Sequence, residues 1–205
     1  MTATYFTRFQ RIKRRLSVRA FLRDTEGSMT IEMMLWLPLI LTVIAGTFSL
    51  HDAFRYKTLN TKAAYTISDA ISRETTAIDG PYLDGMVDLM AFLTRSDGPY
   101  SLRVTLVRFD AGEDTTDGTT PAATGEYLVE WSQTRGEFGE LQTMDLADMT
   151  DQLPVLLDNE HVIVVETETD YIPPFAVPAL NEARMFYTFG FTRPRFAPKI
   201  TWAEG

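Results

Sequence analysis

Apolar residues follow three rhythms along this chain, and each rhythm predicts a different kind of element. From Met33 to Leu50 the run MMLWLPLILTVIAGTFSL holds eighteen residues without a charge, near the lower limit for a helix that crosses a bilayer. Beyond it the rhythm becomes helical. Tyr56, Leu59, Ala63, Ile67 and Ala70 recur three or four residues apart, with Arg55, Lys57, Lys62 and Asp69 between them. Asp79, Gly80 and Pro81 give the first firm stop. Together the two stretches predict one helix from about residue 29 to 75, roughly 70 Å long at 1.5 Å per residue. Its first half belongs in lipid; its second half stands outside and holds a soluble domain on its apolar stripe. Pro38 falls inside the apolar run, where it lacks a helical amide and tends to kink the helix. Membrane helices tolerate such a residue.

After Pro81 the rhythm shortens. Leu83, Met86, Val87, Met90 and Leu93 predict a short amphipathic helix over Tyr82 to Leu93, closed by Ser96-Asp97-Gly98-Pro99. Leu102, Val104 and Leu106 alternate with more polar neighbours, as do Tyr127, Val129 and Trp131 with Leu128, Glu130 and Ser132, so both segments read as strands. Between them, Asp110 to Gly125 is rich in Gly, Thr, Asp and Ala and reads as a hairpin loop. Residues 141 to 157 predict a short acidic helix that ends near Pro154. His161 to Tyr171 is the clearest strand, with Ile163, Val165, Thr167 and Thr169 on one face and Glu166, Glu168 and Asp170 on the other. Met185 to Arg193 is the last, with Tyr187, Phe189 and Phe191 on one face. Four strands and two short helices, without repeated strand-helix units, predict a small α+β head built on an antiparallel sheet rather than a parallel-sheet enzyme. The expected layout is a basic leader over 1–27, a transmembrane and projecting helix over 28–76, and a head over 82–205.

Charge sets the expected orientation. The whole chain of 205 residues has a formal charge of −9. Arg8, Arg11, Lys13, Arg14, Arg15, Arg19 and Arg23 face only Asp24 and Glu26 in the first 27 residues, a net +5 that leaves −14 on the rest. A basic block before an apolar run follows the positive-inside rule and predicts a cytoplasmic N-terminus with the head across the membrane. Arg55, Lys57 and Lys62 beyond the run weaken this bias without reversing it. The acidic balance speaks against a nucleic-acid partner. The chain has no cysteine, which removes disulfides and thiolate chemistry without choosing a compartment. A removable secretory signal also joins a basic and an apolar region, but no clear small-x-small cleavage site follows this run, and the helical rhythm continues. A buried core helix fits less well, because the run is continuous rather than amphipathic.

The most specific local feature is Asp24-Thr25-Glu26-Gly27-Ser28-Met29-Thr30-Ile31-Glu32. Glu32 lies at the entrance to hydrocarbon, where an ionised carboxylate is costly unless it stays among headgroups or meets a positive partner. Cutting after Gly27 creates such a partner, the new amine of Ser28, either within one helix or on a neighbouring subunit whose axial register it would fix.

At this point the chain resembles the type IV prepilin-like proteins, and within them the TadE-like family of tight-adherence (Flp) pilus assembly proteins. The matching residues are Arg23, Asp24, Glu26 and Gly27 in the leader, the small Ser28, Glu32, and Leu37-Pro38-Leu39 within the span. The likeness covers about residues 20 to 60; in the head it is one of layout, with Thr192-Arg193-Pro194-Arg195-Phe196 resembling the closing segment of some members. TadG-like proteins share this type of N-terminal region but can carry larger extracellular domains. The resemblance implies cleavage between Gly27 and Ser28 by a membrane aspartic prepilin peptidase, with Glu32 and Pro38 as assembly positions. It implies a minor pseudopilin or assembly factor rather than an enzyme, placed in a bacterial inner membrane with a periplasmic head. Its partners would be the peptidase, other pseudopilins and pilus assembly proteins, and the lipid bilayer; no cofactor or metal is expected. The alternatives are a plain signal anchor and a membrane-tethered envelope enzyme or ligand-binding module.

Other chemistry is sparse. His51 and His161 are far apart in sequence, and neither belongs to an HExxH arrangement. Asp110, Glu113, Asp114 and Asp117 offer oxygen ligands for calcium but lack the order of an EF-hand loop. Glu166, Glu168 and Asp170 predict an exposed acidic strand face. Arg193 and Arg195 can meet acidic head surfaces, an assembly partner or solvent. Gly190 reads as a strand irregularity.

Overall fold

A computed structural model describes residues 28–95, 98–112, 125–171, 175 and 184–203. The basic leader, Gly27, and Glu113, Asp114 and Asp117 of the acidic loop lie outside the described residues. Helix α1 spans Ser28–Ser72 and α2 spans Gly80–Thr94. Strands β1 (Tyr100–Asp110), β2 (Glu126–Arg135), β3 (His161–Tyr171) and β4 (Arg184–Thr192) follow, with a 3-10 helix over Thr143–Gln152 between β2 and β3. The fold is α+β, with one long apolar N-terminal helix and a four-stranded antiparallel sheet. Met1–Ser49 and Leu50–Gly205 form two compact units, so the second half of α1 belongs to the head.

Helix α1 stops at Ser72, before the predicted stop. Asp79 and Pro81 start α2 instead: the Asp79 carboxylate accepts the Tyr82 amide at 3.0 Å, and Pro81 sits in the first turn, where a missing amide costs nothing. The acidic segment after β2 forms a 3-10 helix rather than an α-helix.

The strands are ordered β2-β1-β3-β4, and strand alternation sends side chains to two cores. Leu102, Val104, Leu106, Ile163 and Val165 meet Ala63, Ile67 and Ile71 of α1 and Leu83 and Met90 of α2 on one face. Val107, Phe109, Val162 and Val164 meet Leu141, Leu146, Leu153 and Leu156 on the other. The sequence pattern put Tyr127, Val129 and Trp131 on a single face. Instead the register passes from Leu106↔Trp131 to Val107↔Val129, leaving Glu130 as an extra residue. This bulge turns Trp131 to the helix side, while Tyr127 and Val129 serve the opposite core. Gly190 shows no such break and pairs in register with Val165.

The segment after β4 folds back over the head. The Arg195 amide donates to the Ser72 carbonyl, and Ile78 pairs with Trp202 through hydrogen bonds to Thr201 and from Ala203. Trp131 donates its indole N–H to the Ile200 carbonyl at 2.9 Å.

Candidate functional site

The region of α1 between Met33 and Leu50 is long and apolar enough to span a membrane. At 1.5 Å per residue its eighteen residues reach about 27 Å, close to the roughly 30 Å of a hydrocarbon core. Every side chain from Met29 to Ile44 is exposed, Trp36 among them. Uncovered apolar surface of that extent marks a membrane or partner contact. Helix α1 continues through Pro38, and the Thr42 hydroxyl donates to the Pro38 carbonyl at 2.8 Å. Thr47 makes the same four-residue bond to Val43 at 2.8 Å, so both hydroxyls are satisfied inside the helix.

Glu32 is exposed one helical turn after Ser28, on the same side of α1. Among the described residues no cation lies within ion-pair distance of it. Gly27, the other half of the predicted cleavage pair, lies outside the described residues, as does the basic leader.

Past Leu50, α1 is sewn to the end of the sheet. The Tyr171 phenol donates to Asp52 at 3.0 Å. Tyr56 lies 3.1 Å from the Thr169 hydroxyl and donates to the Asp170 carbonyl at 3.2 Å. The rings of Tyr56, Tyr171 and Phe186 stack mutually with centroids 5.4 to 5.7 Å apart. Burial, reinforced by the Asp52 carboxylate, pushes the Tyr171 phenol up to about 12. Sequence reasoning missed this cluster. The available signal was an Asp and a Tyr four residues apart on the helix face that carries the apolar stripe.

The predicted acidic face of β3 is corrected in one part. Glu166 is only 1% exposed. Arg103 grips it with two nitrogens, at 2.5 and 2.6 Å, and the Tyr187 phenol donates to it at 2.6 Å. Burial and the Glu166 carboxylate push that phenol well above its ordinary range. Arg103 also lies 5.1 Å from the Phe138 ring centre. This is a closed ion pair with its hydrogen bonds satisfied, and it leaves Glu166 no room to act as one of a catalytic carboxylate pair.

His161 lies 3.1 Å from Glu130, which Lys199 also approaches at 3.1 Å. The β2 bulge is what supplies Glu130 to them. His51 is far along the chain from this group and takes no part in it. Arg193 pairs with Glu160 at 3.1 Å and Arg195 with Asp69 at 2.9 Å, so both arginines bind the head itself. Among the described residues no cluster of His, Asp and Glu is suited to hold a metal ion. Comparison with family models, with curated proteins and with solved structures finds no match. The functional reading therefore rests on the chain's own chemistry.

Proposed function

We propose that this chain is a membrane-anchored, pseudopilin-like assembly or minor structural subunit of a tight-adherence pilus. In this reading a prepilin peptidase cuts between Gly27 and Ser28. The observation that carries it is the lone carboxylate of Glu32, set at the edge of a charge-free, uncovered helical segment and four residues after Ser28. Lipid covers the apolar half of α1. The Ser28 amine supplies the positive charge that Glu32 lacks, and in a row of packed helices the pair sets axial register. Pro38 removes one internal hydrogen bond from the same surface. The head faces the periplasm and recognises the other pilus assembly proteins.

The test is the N-terminal mass of protein isolated from membranes, with and without the host prepilin peptidase. A terminus at Ser28 is expected only when the peptidase is present, and Gly27→Ile abolishes it. Glu32→Ala is expected to lower recovery of the protein with its assembly partners. An intact Met1, or processing that ignores the peptidase, overturns the reading and leaves an ordinary signal-anchored envelope protein.

A further inference from the structure

The head has two hairpin ends of opposite character. At one end β1 turns into β2, with Asp110 paired to Glu126, through a connection that carries Glu113, Asp114 and Asp117. His161, the first residue of β3, pairs with Arg108 near the same end. At the other end β3 finishes at Tyr171, opposite Arg184 of β4. Here the chain runs from Tyr171 to Asn181 without a charged side chain and includes Ile172, Phe175, Val177 and Leu180. In an otherwise acidic head this is the one hairpin end stripped of charge.

The charge-free end is also the end tied to α1 just where the apolar run stops. Asp52, which accepts the Tyr171 phenol, stands two residues past Leu50, a rise of about 3 Å along the helix. Tyr56, which binds Thr169 and Asp170, stands six residues past it, a rise of about 9 Å. The headgroup layer on each side of a bilayer is roughly 5 to 8 Å thick. The hydrogen bonds and the packed Tyr56, Tyr171 and Phe186 rings hold the last residues of β3 at that height. Phe175, four residues further on, remains 48% exposed.

From this juxtaposition we infer that the β3 end of the head is a second membrane contact, with Phe175 seated in the phospholipid headgroup layer beside α1. The inference rests on the proposal that α1 crosses the bilayer. Aromatic and proline-rich uncharged chain suits this layer, because rings gain apolar cover there while backbone groups still find water. The acidic hairpin is meanwhile held away from anionic lipid: Val162 lies nine residues before Tyr171 on β3, about 30 Å along the strand. The contact would fix the tilt of the head on the membrane, which a single helix leaves free.

The absence of cysteine makes the test direct. Single-cysteine variants Phe175→Cys, Leu41→Cys and Met144→Cys of the full chain are labelled with an environment-sensitive fluorophore. They are reconstituted into vesicles of phosphatidylethanolamine and phosphatidylglycerol that carry nitroxide either in the headgroup or mid-chain. Met144 is 85% exposed on the 3-10 helix and reports water. The probe at 175 is expected to be quenched several-fold more by headgroup nitroxide than the probe at 144, and the probe at 41 by mid-chain nitroxide. A probe at 175 that matches 144, while 41 stays lipid-quenched, overturns the second contact and leaves the span standing. So does a probe at 175 shielded from both lipid and water, which would mean a protein partner. A water-accessible probe at 41 overturns the span and the contact with it.

Discussion

Glu166 shows how a single residue can be misjudged from strand alternation alone. It shares a face with Glu168 and Asp170, yet that face is roofed where Arg103, Phe138 and Tyr187 gather over it. A carboxylate taken out of water is tolerable only with a partner of fixed geometry, and the planar guanidinium supplies two parallel donors. Arg103→Met removes those donors and leaves the charge buried, so unfolding of the full chain in detergent should show a loss of about 3–5 kcal/mol. Adding Glu166→Leu should recover most of it, because a well-packed apolar pair replaces an ion pair at little cost. Failure of the double variant to recover stability would show that the pair serves something besides packing. Glu130 tests the same physics by pH. Partial burial opposes its ionisation, but hydrogen bonds from His161 and Lys199 prevail and hold it below the ordinary carboxylate range. A depressed carboxylate contributes stability that is complete above its unfolded-state pKa of about 4.3 and is lost as pH falls through the lower folded value. Glu130→Gln should therefore flatten the acid limb of the stability profile below that pH while lowering stability at neutrality.

At the scale of elements, periodicity carried the reading far, and its failures have physical causes. The second half of α1 was legible because Ala63 and Ile67 repeat at helical spacing and are both fully buried. Ile67→Ala should cost about 2–5 kcal/mol in the same unfolding experiment, and Thr66→Ala, one residue away on the exposed side, almost nothing. The four strands were legible as well. Their faces were less so: a bulge adds one residue without changing composition, so nothing in Tyr127 to Ser132 announces that Trp131 changes sides. Asp79-Gly80-Pro81 was read as the end of one helix when it begins the next, because a capping Asp followed by Pro punctuates the chain either way. Asp79→Ala should cost about 1 kcal/mol and loosen the first turn of α2, measured as faster amide exchange at Leu83. The contacts that join distant segments, Asp52 to Tyr171 and Arg103 to Glu166, were invisible. They depend on strand register, which single-chain periodicity does not fix. Gly27, Ser28, Glu32 and Pro38 were found from local order alone, and their roles belong to the proposed processing and assembly.

For the whole molecule, the decisive quantity is the asymmetry between a leader of net +5 and a remainder of −14. Translocating the acidic head rather than the basic leader leaves seven lysines and arginines in the cytoplasm and moves only Arg55, Lys57 and Lys62 of the flanking basic residues across. The proposed topology therefore places every surface residue of the head outside the cytoplasm. With no native thiol to interfere, Met144→Cys in intact cells with a permeabilised outer membrane should react with a membrane-impermeant maleimide, and a cysteine at Thr7 should react only after the inner membrane is lysed. Neutralising Arg8, Arg11, Lys13, Arg14, Arg15, Arg19 and Arg23 to glutamine changes the leader from +5 to −2, since Asp24 and Glu26 remain. The three basic residues beyond the span then dominate, and a substantial fraction of molecules should show the reversed labelling pattern. Reversal would also place the Gly27-Ser28 bond on the wrong side for processing, so loss of the Ser28 terminus should track the inverted fraction. Labelling of Met144→Cys only after lysis in the native leader background would overturn the topology and the pilus reading together.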